Sequence, residues 1–300
     1  MPNVRITHST EYAYYRPVRP TTHRLMLRPR DSHDLRLRSA TLTITPPPRS
    51  TRWAHDVFGN SLCYLEWGRI ETQLLRIVSS LDLDHYPSAS ELPIDPASET
   101  YPFSYGTDEA PDLARTLERH FPDPERAVDA WARRFLNPTG PTRTVDLLAE
   151  MTRAIRAEFT YAIRESEGTN PPTVTLAERS GACRDFALLM MEALRALGLA
   201  ARFVSGYLYD DRVAGGMAVV GGGATHAWVA VYLPGAGWVE YDPTNGLIAG
   251  RNLIRISNAR TAEQSKPVSG GYLGSRQDFR GLRVNVDVSV VPPSSVVSAA

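Results

Sequence analysis

Residues 1–85 alternate apolar and polar positions with a period of two. Val4, Ile6, His8, Thr10, Tyr12 and Tyr14 fall on one side of an extended segment, the pattern of a half-buried strand. Leu25 and Leu27, Leu42 and Ile44, then Leu75, Ile77, Leu81 and Leu83 repeat it, and Leu62–Trp67 reads as a further strand. Pro46-Pro47-Pro48, Asp56 and Gly59-Asn60 separate the runs as turn residues. Short strands at this spacing predict a small antiparallel β domain over 1–85. Proline crowds the next stretch, at Pro87, Pro93, Pro96, Pro102 and Pro111, so 86–123 reads as a linker or meandering surface segment.

From Pro124 the period changes to that of helices. Ala127, Val128, Trp131 and Phe135 share one helix face, ended by Asn137-Pro138. Val145, Leu147, Leu148, Met151, Ile155 and Phe159 mark a second helix. Thr173–Ser180 reads as an extended or loop approach to Gly181. The clearest helix follows, with Phe186, Leu189, Met190, Ala193, Leu194 and Leu197 at helical spacing and Gly198 as its stop. Strands are predicted at Ala201–Tyr209, Thr225–Leu233 and Trp238–Asp242, with a last alternating run from Leu282 to Val290 and a frayed tail from Pro292 to Ala300. The sum is an α+β chain: a β domain at 1–85, a connecting segment, a mixed core at 124–260 and a C-terminal extension at 261–300.

Composition narrows the function classes. The chain has 300 residues, 42% of them hydrophobic and 22% charged, enough apolar material for a substantial core. Its 33 basic and 33 acidic residues cancel, and no basic run appears, so neither nucleic acid nor an anionic membrane surface is an expected partner. Lys266 is the single lysine, all other basic residues being arginine. No apolar run is long enough to span a bilayer, and the N-terminus lacks the pattern of a secretory signal, which makes the cytoplasm the expected location. Cys63 and Cys183 are too few for a disulfide framework and are expected to be reduced. The 7 histidines are scattered, without a His-Glu-x-x-His pair, so no metal is expected. Gly215-Gly216 and Gly221-Gly222-Gly223 lack the Lys-Ser/Thr of a phosphate loop and read as a mobile loop. Asp210-Asp211 reads as a polar turn.

Three short stretches carry candidate chemistry. Gly181-Ala182-Cys183-Arg184-Asp185-Phe186 puts a cysteine at the first turn of the most apolar helix. Unpaired amides and the helix dipole favour an anion there, and so a thiolate. Small residues at Gly181 and Ala182 leave room for a substrate, and the Cys183 amide is placed to bind an oxyanion. His226 opens the strand His226-Ala227-Trp228, and Asp242 closes the strand Trp238-Val239-Glu240-Tyr241-Asp242. Taken singly, each has a plain structural role: a buried thiol, a packed imidazole, a turn-capping carboxylate. Together they are a nucleophile, a base and an orienting group. For His226 and Asp242 to face each other directly, Val231 must oppose Gly237, with an odd loop of three to five residues centred on Pro234. An even loop would place them on opposite faces of the sheet. Trp228, on the face of His226, is a candidate to shield the imidazole, to line an acyl pocket or simply to pack.

The ordered stretches Gly181 to Ala187, Arg195 to Tyr207, His226 to Trp228 and Gly237 to Thr244 resemble the bacterial transglutaminase-like family. His8-x-Thr10-x-Tyr12-x-Tyr14, Leu27-Arg28-Pro29-Arg30 and Asp56-x-Phe58-Gly59-Asn60 resemble its N-terminal β domain. The resemblance implies a papain-like core with Cys183 as nucleophile, His226 as base and Asp242 as orienting carboxylate, and an acyl-thioenzyme formed from a protein or peptide amide without a cofactor. Gly181, by its small size, and Trp228, by its place on the His226 face, are the candidate substrate-side residues beside these three. Arg184 stands where many relatives carry Gln, and the family's Gly-Arg-Asp-Tyr-like stretch is eroded between Asn258 and Pro267. A catalytically silent binding module on the same fold is the rival expectation. Oligomeric state has no signal in the sequence.

Overall fold

A computed structural model describes residues 2–86, 93–163, 168–209, 225–248 and 252–291. The two glycine-rich stretches at 215–223, the Asp210-Asp211 turn, Pro87 and the 292–300 tail lie outside the described residues. Six strands form the N-terminal half: β1 (Asn3–Pro20), β2 (His23–Leu25), β3 (Leu35–Thr45), β4 (Ser50–His55), β5 (Ser61–Glu66) and β6 (Thr72–His85). The predicted alternation is present in β1, where Val4, Ile6, His8, Thr10, Tyr14 and Val18 are buried. β1 pairs with β6, and β6 with β3, in one antiparallel sheet; β2, β5 and β4 form another. Leu25, Cys63, Leu65 and Trp67 of the second sheet pack with Tyr14, Val18, Leu75 and Ile77 of the first.

The second half holds five helices among the described residues, α1 (Glu109–Leu117), α2 (Ala127–Arg133), α3 (Thr144–Glu158), α4 (Pro172–Glu178) and α5 (Cys183–Ala196). Two of these were not expected. α1 lies within the proline-rich stretch and buries only Leu113, so it offers no apolar stripe to read. α4 replaces the extended approach expected at 173–180. It starts on Pro172, whose fixed φ and missing N–H suit a helix's first turn, and Arg179 ends it at φ 50°. Only Pro172 and Thr175 are buried in it, too few for a periodic signal.

Strands β7 (Ala201–Leu208), β8 (His226–Leu233), β9 (Gly237–Asp242) and β10 (Leu253–Ala259) make an antiparallel sheet in the order β9-β8-β7-β10. α5 lies against this sheet, its Leu188, Leu189, Met191, Ala193 and Leu194 sharing one core with Phe203, Val229 and Val231. That burial fixes the start of α5 relative to the start of β8, which is what positions the site.

The last strand, β11 (Phe279–Val291), returns to the N-terminal half and pairs with β1 from Asn3↔Val291 to Tyr14↔Phe279. On the way, Val268–Ser269 pairs with β2 and Tyr272–Leu273 with β1. The two halves are joined by an apolar cluster of Val4, Ile6, Leu81 and Leu83 with Tyr207, Tyr209, Ile254 and Ile256. Two buried histidines reach across it: His8 Nδ1 lies 2.8 Å from the Tyr207 hydroxyl, and His85 Nδ1 lies 3.1 Å from that of Tyr209. Both cysteines are free, and burial pushes the Cys63 thiol up to about 11.

Candidate active site

Cys183 is the first residue of α5, after Ala182 in extended conformation. The turn is held by Asp185, fully buried, which accepts hydrogen bonds from Ala182 N at 2.9 Å and Asn170 N at 2.7 Å. Gly181 is required by this arrangement: a Cβ there would stand 2.9 Å from the Asp185 Cβ and 3.3 Å from the Phe186 ring. Its bare face thus admits Asp185 and Phe186, and the cleft is lined by Ala182 in its place. Asp185 N and Phe186 N already bond the Ala182 carbonyl, which leaves the Cys183 and Arg184 amides, without intrahelical acceptors, at the helix start that carries the sulfur.

His226 begins β8 and is 1% exposed; Asp242 ends β9 and is fully buried. The imidazole Nε2 lies 2.8 Å from Asp242 Oδ2. The β8–β9 ladder runs Val229↔Tyr241, Val231↔Val239 and Leu233↔Gly237. Val231 therefore faces Val239, where direct opposition of His226 and Asp242 required Gly237. The loop is an odd one, Pro234-Gly235-Ala236, centred one residue later than expected. Pro234-Gly235 sets it there: Ala236 N donates to Leu233 O at 3.0 Å, and Gly235 takes φ 84°, as the third position of a type II turn demands. The parity is preserved, so the two side chains share a face and meet diagonally.

Asp242 holds the turn as well as the histidine. Its Oδ1 accepts from Thr244 N at 2.9 Å, and Oδ2 also accepts from Asn245 Nδ2 at 2.8 Å. Burial alone pushes the Asp242 carboxyl up, but the His226 charge and the bonds from His226, Asn245 and Thr244 outweigh it and hold the pKa below the ordinary value. Burial pulls His226 down in turn, and the Asp242 carboxylate beside it, with a smaller contribution from Cys183, carries it above the ordinary value. With Nε2 engaged by Asp242, Nδ1 has no hydrogen bond of ordinary geometry and is the nitrogen left for the thiol. A loose thiol contact is normal before substrate arrives.

Trp228 is fully buried behind the imidazole, stacked at 5.9 Å between ring centroids with planes 29° apart. It packs with Val204, Leu208, Ala230 and Leu253 and does not line the cleft, so it backs the imidazole and is not an acyl-pocket wall. Two residues escaped the sequence reading. Tyr161 sits in a two-residue pairing with Gly181 and lines the cleft beside Cys183; burial and the neighbouring thiol push its phenol up to about 12. Asn245 orients Asp242 from the following turn. The Asp-Pro-Thr-Asn spacing could have flagged Asn245, whereas Tyr161 is distant in sequence from any motif.

Cys183, His226 and Tyr161 open onto one cleft of about 230 Å³ that Arg184, Phe203 and Ser205 also line. Among the described residues no group of three or more His, Cys, Asp or Glu could hold a metal ion, and no helix is long and apolar enough to cross a membrane.

Comparison with known proteins agrees with this layout. Residues 129–243 match the transglutaminase-like superfamily, and residues 4–84 match the bacterial transglutaminase-like N-terminal region. An uncharacterized protein of Mycobacterium tuberculosis is 31% identical over 296 residues, 96% of this chain and 92% of that protein. A protein-glutamine gamma-glutamyltransferase of Pseudomonas aeruginosa is 42% identical over 67 residues, 22% of this chain and 10% of that protein. The crystal structure of a candidate cysteine protease from Cytophaga hutchinsonii superposes with a TM-score of 0.69 at 18% identity, over 97% of this chain and 92% of that one. With both halves matched in order, the chain belongs to the transglutaminase-like superfamily, in the form that carries the bacterial N-terminal region.

Proposed function

We propose that this protein is a cysteine enzyme that cleaves or exchanges amide bonds in proteins or peptides through a thioester on Cys183. The observation that carries this reading is the 2.8 Å bond between His226 Nε2 and Asp242 Oδ2, buried beside the cleft that Cys183 opens onto. His226 takes the thiol proton and the sulfur attacks the amide carbonyl. The α5 amides stabilise the oxygen as it becomes negative. His226 then protonates the leaving ammonia or amine, and water or a second amine resolves the thioester. Asp242 orients the ring and stabilises its charged form, the division of labour of a catalytic triad.

The partly open cleft leaves the choice of acceptor to what reaches the thioester, so crosslinking, deamidation and hydrolysis share this first half-reaction. Incubation with a glutamine-containing peptide, with release of ammonia and the mass of acid-quenched protein followed together, tests it. A peptide adduct on Cys183, absent from Cys183→Ala, is the expected result. Slow, unselective alkylation by iodoacetamide together with no adduct would show a silent fold.

A further inference from the structure

The segment Ala262–Pro267 lines the same cleft and presents Lys266, the only lysine of the chain, to the cavity that Cys183 and His226 share. We propose that Lys266 is a built-in acyl acceptor: the acyl group carried by Cys183 passes to its ε-amine and leaves the enzyme marked by a stable amide. The inference rests on the thioester reading above and adds the destination of the acyl group.

The wall that carries Lys266 is held from both sides. Ser265 Oγ bonds Ser257 Oγ at 2.6 Å, on the core sheet. On the other side, Pro267 O accepts from Met26 N at 2.7 Å, in the N-terminal half. The 3₁₀ turn Ala262–Ser265 and the Val268–Ser269 pairing with β2 bracket it. The backbone thus has little freedom while the long side chain keeps its own. That side chain is 34% exposed, and its ammonium lies 2.6 Å from Glu263 Oε2. This gives a nucleophilic amine a carboxylate to receive its first proton and a cavity shared with Cys183.

The chemistry balances without a further reactant. Lys266 gives one proton to Glu263, and its free amine attacks the thioester carbonyl. A C–N bond forms and the C–S bond breaks. The second nitrogen proton passes to His226, which returns it to the departing sulfur, so thioester and ammonium become amide, thiol and one released proton.

The test uses the full chain and a glutamine-containing peptide as acyl donor, followed by digestion with an arginine-specific protease. Lys266 then lies in the fragment Thr261–Arg276. One donor mass on that fragment per chain is expected, independent of protein concentration. The mark should vanish in Cys183→Ala. It should vanish also in Lys266→Arg, whose Cys183 thioester should persist longer. Thioester turnover with an unmarked Lys266 overturns the inference and leaves the proposed function standing. No thioester on Cys183 overturns both. Marking that survives in Cys183→Ala, or that appears on Cys183→Ala chains mixed with active protein, shows direct or intermolecular acylation and overturns the built-in acceptor.

Discussion

The indole of Trp228 occupies the space in which a side chain at Gly206 would stand: a Cβ on Gly206 would come within 2.7 Å of its Cη2 and collide with the Ile254 carbonyl oxygen. Gly206 also marks the register shift between β7 and β10. A glycine one strand away therefore keeps Trp228 pressed behind His226.

Gly206→Ala should accordingly damage the site from behind. Neither the backbone of β10 nor the boxed-in indole can yield cheaply, and overpacking of this kind costs about 1–3 kcal/mol. The melting temperature should fall, and thioester formation should fall by more than the unfolded fraction explains, as the imidazole loses its backing. A variant as stable and as active as the wild type would remove the support assigned to Trp228.

Asp242→Asn separates the orienting role from the turn. The amide can still accept from Thr244 N, so the melting temperature should change little. Its NH₂ group facing Nε2 selects the wrong tautomer, and acylation should fall by about 10²- to 10⁴-fold. Measuring thioester formation and melting together decides it; near-native acylation would leave a Cys-His pair with Asp242 as a turn residue.

Sequence periodicity identified β1, whose buried positions alternate, and the long apolar runs identified β8 and α5, which are buried on nearly every side. It failed at α1 and α4, where tertiary contacts stabilise short helices without an apolar stripe. The Cys183, His226 and Asp242 constellation was legible because strand parity constrains the pairing, but the centre of the loop was not, since Pro-Gly chose the turn type. The β11 strand was legible; its partner was not, because nothing in alternation says which edge a strand will join. Tyr161 was invisible for the same reason: only folding brings it to Gly181.

Tyr161→Phe keeps the ring that packs against Phe186, at 6.4 Å between centroids, and removes only the hydroxyl beside the Cys183 thiol. If that hydroxyl donates to the thiolate, its loss is worth about 0.5–1.5 kcal/mol, so acylation should slow by up to about tenfold while the fold is retained. Stopped-flow acylation by an activated ester measures it. An unchanged rate would make Tyr161 a packing residue.

The histidines that join the two halves should make the protein acid-sensitive. Burial lowers His8 to about 4 and, opposed by Asp34 and aided by Arg255 to a smaller extent, lowers His85 to about 4 as well. Each stays neutral in the folded chain at pH values where an unfolded histidine, titrating near 6.5, takes up a proton. Their contribution to stability is therefore complete above pH 6.5 and lost as the pH falls toward 4. His226 has the opposite sign: raised above 6.5, it contributes fully below that pH and loses its contribution only as the pH rises through its folded value. The acid loss in this window should thus come from the histidines that burial lowers, His8 and His85 together with His23 and His120, and not from His226. Replacing both interface histidines by Gln, which can still bond the Tyr207 and Tyr209 hydroxyls, should make the fall in melting temperature between pH 6.5 and 4 shallower than in the wild type. His226→Gln should leave that acid slope in place. An interface double variant with the wild-type slope would place the acid sensitivity elsewhere in the molecule.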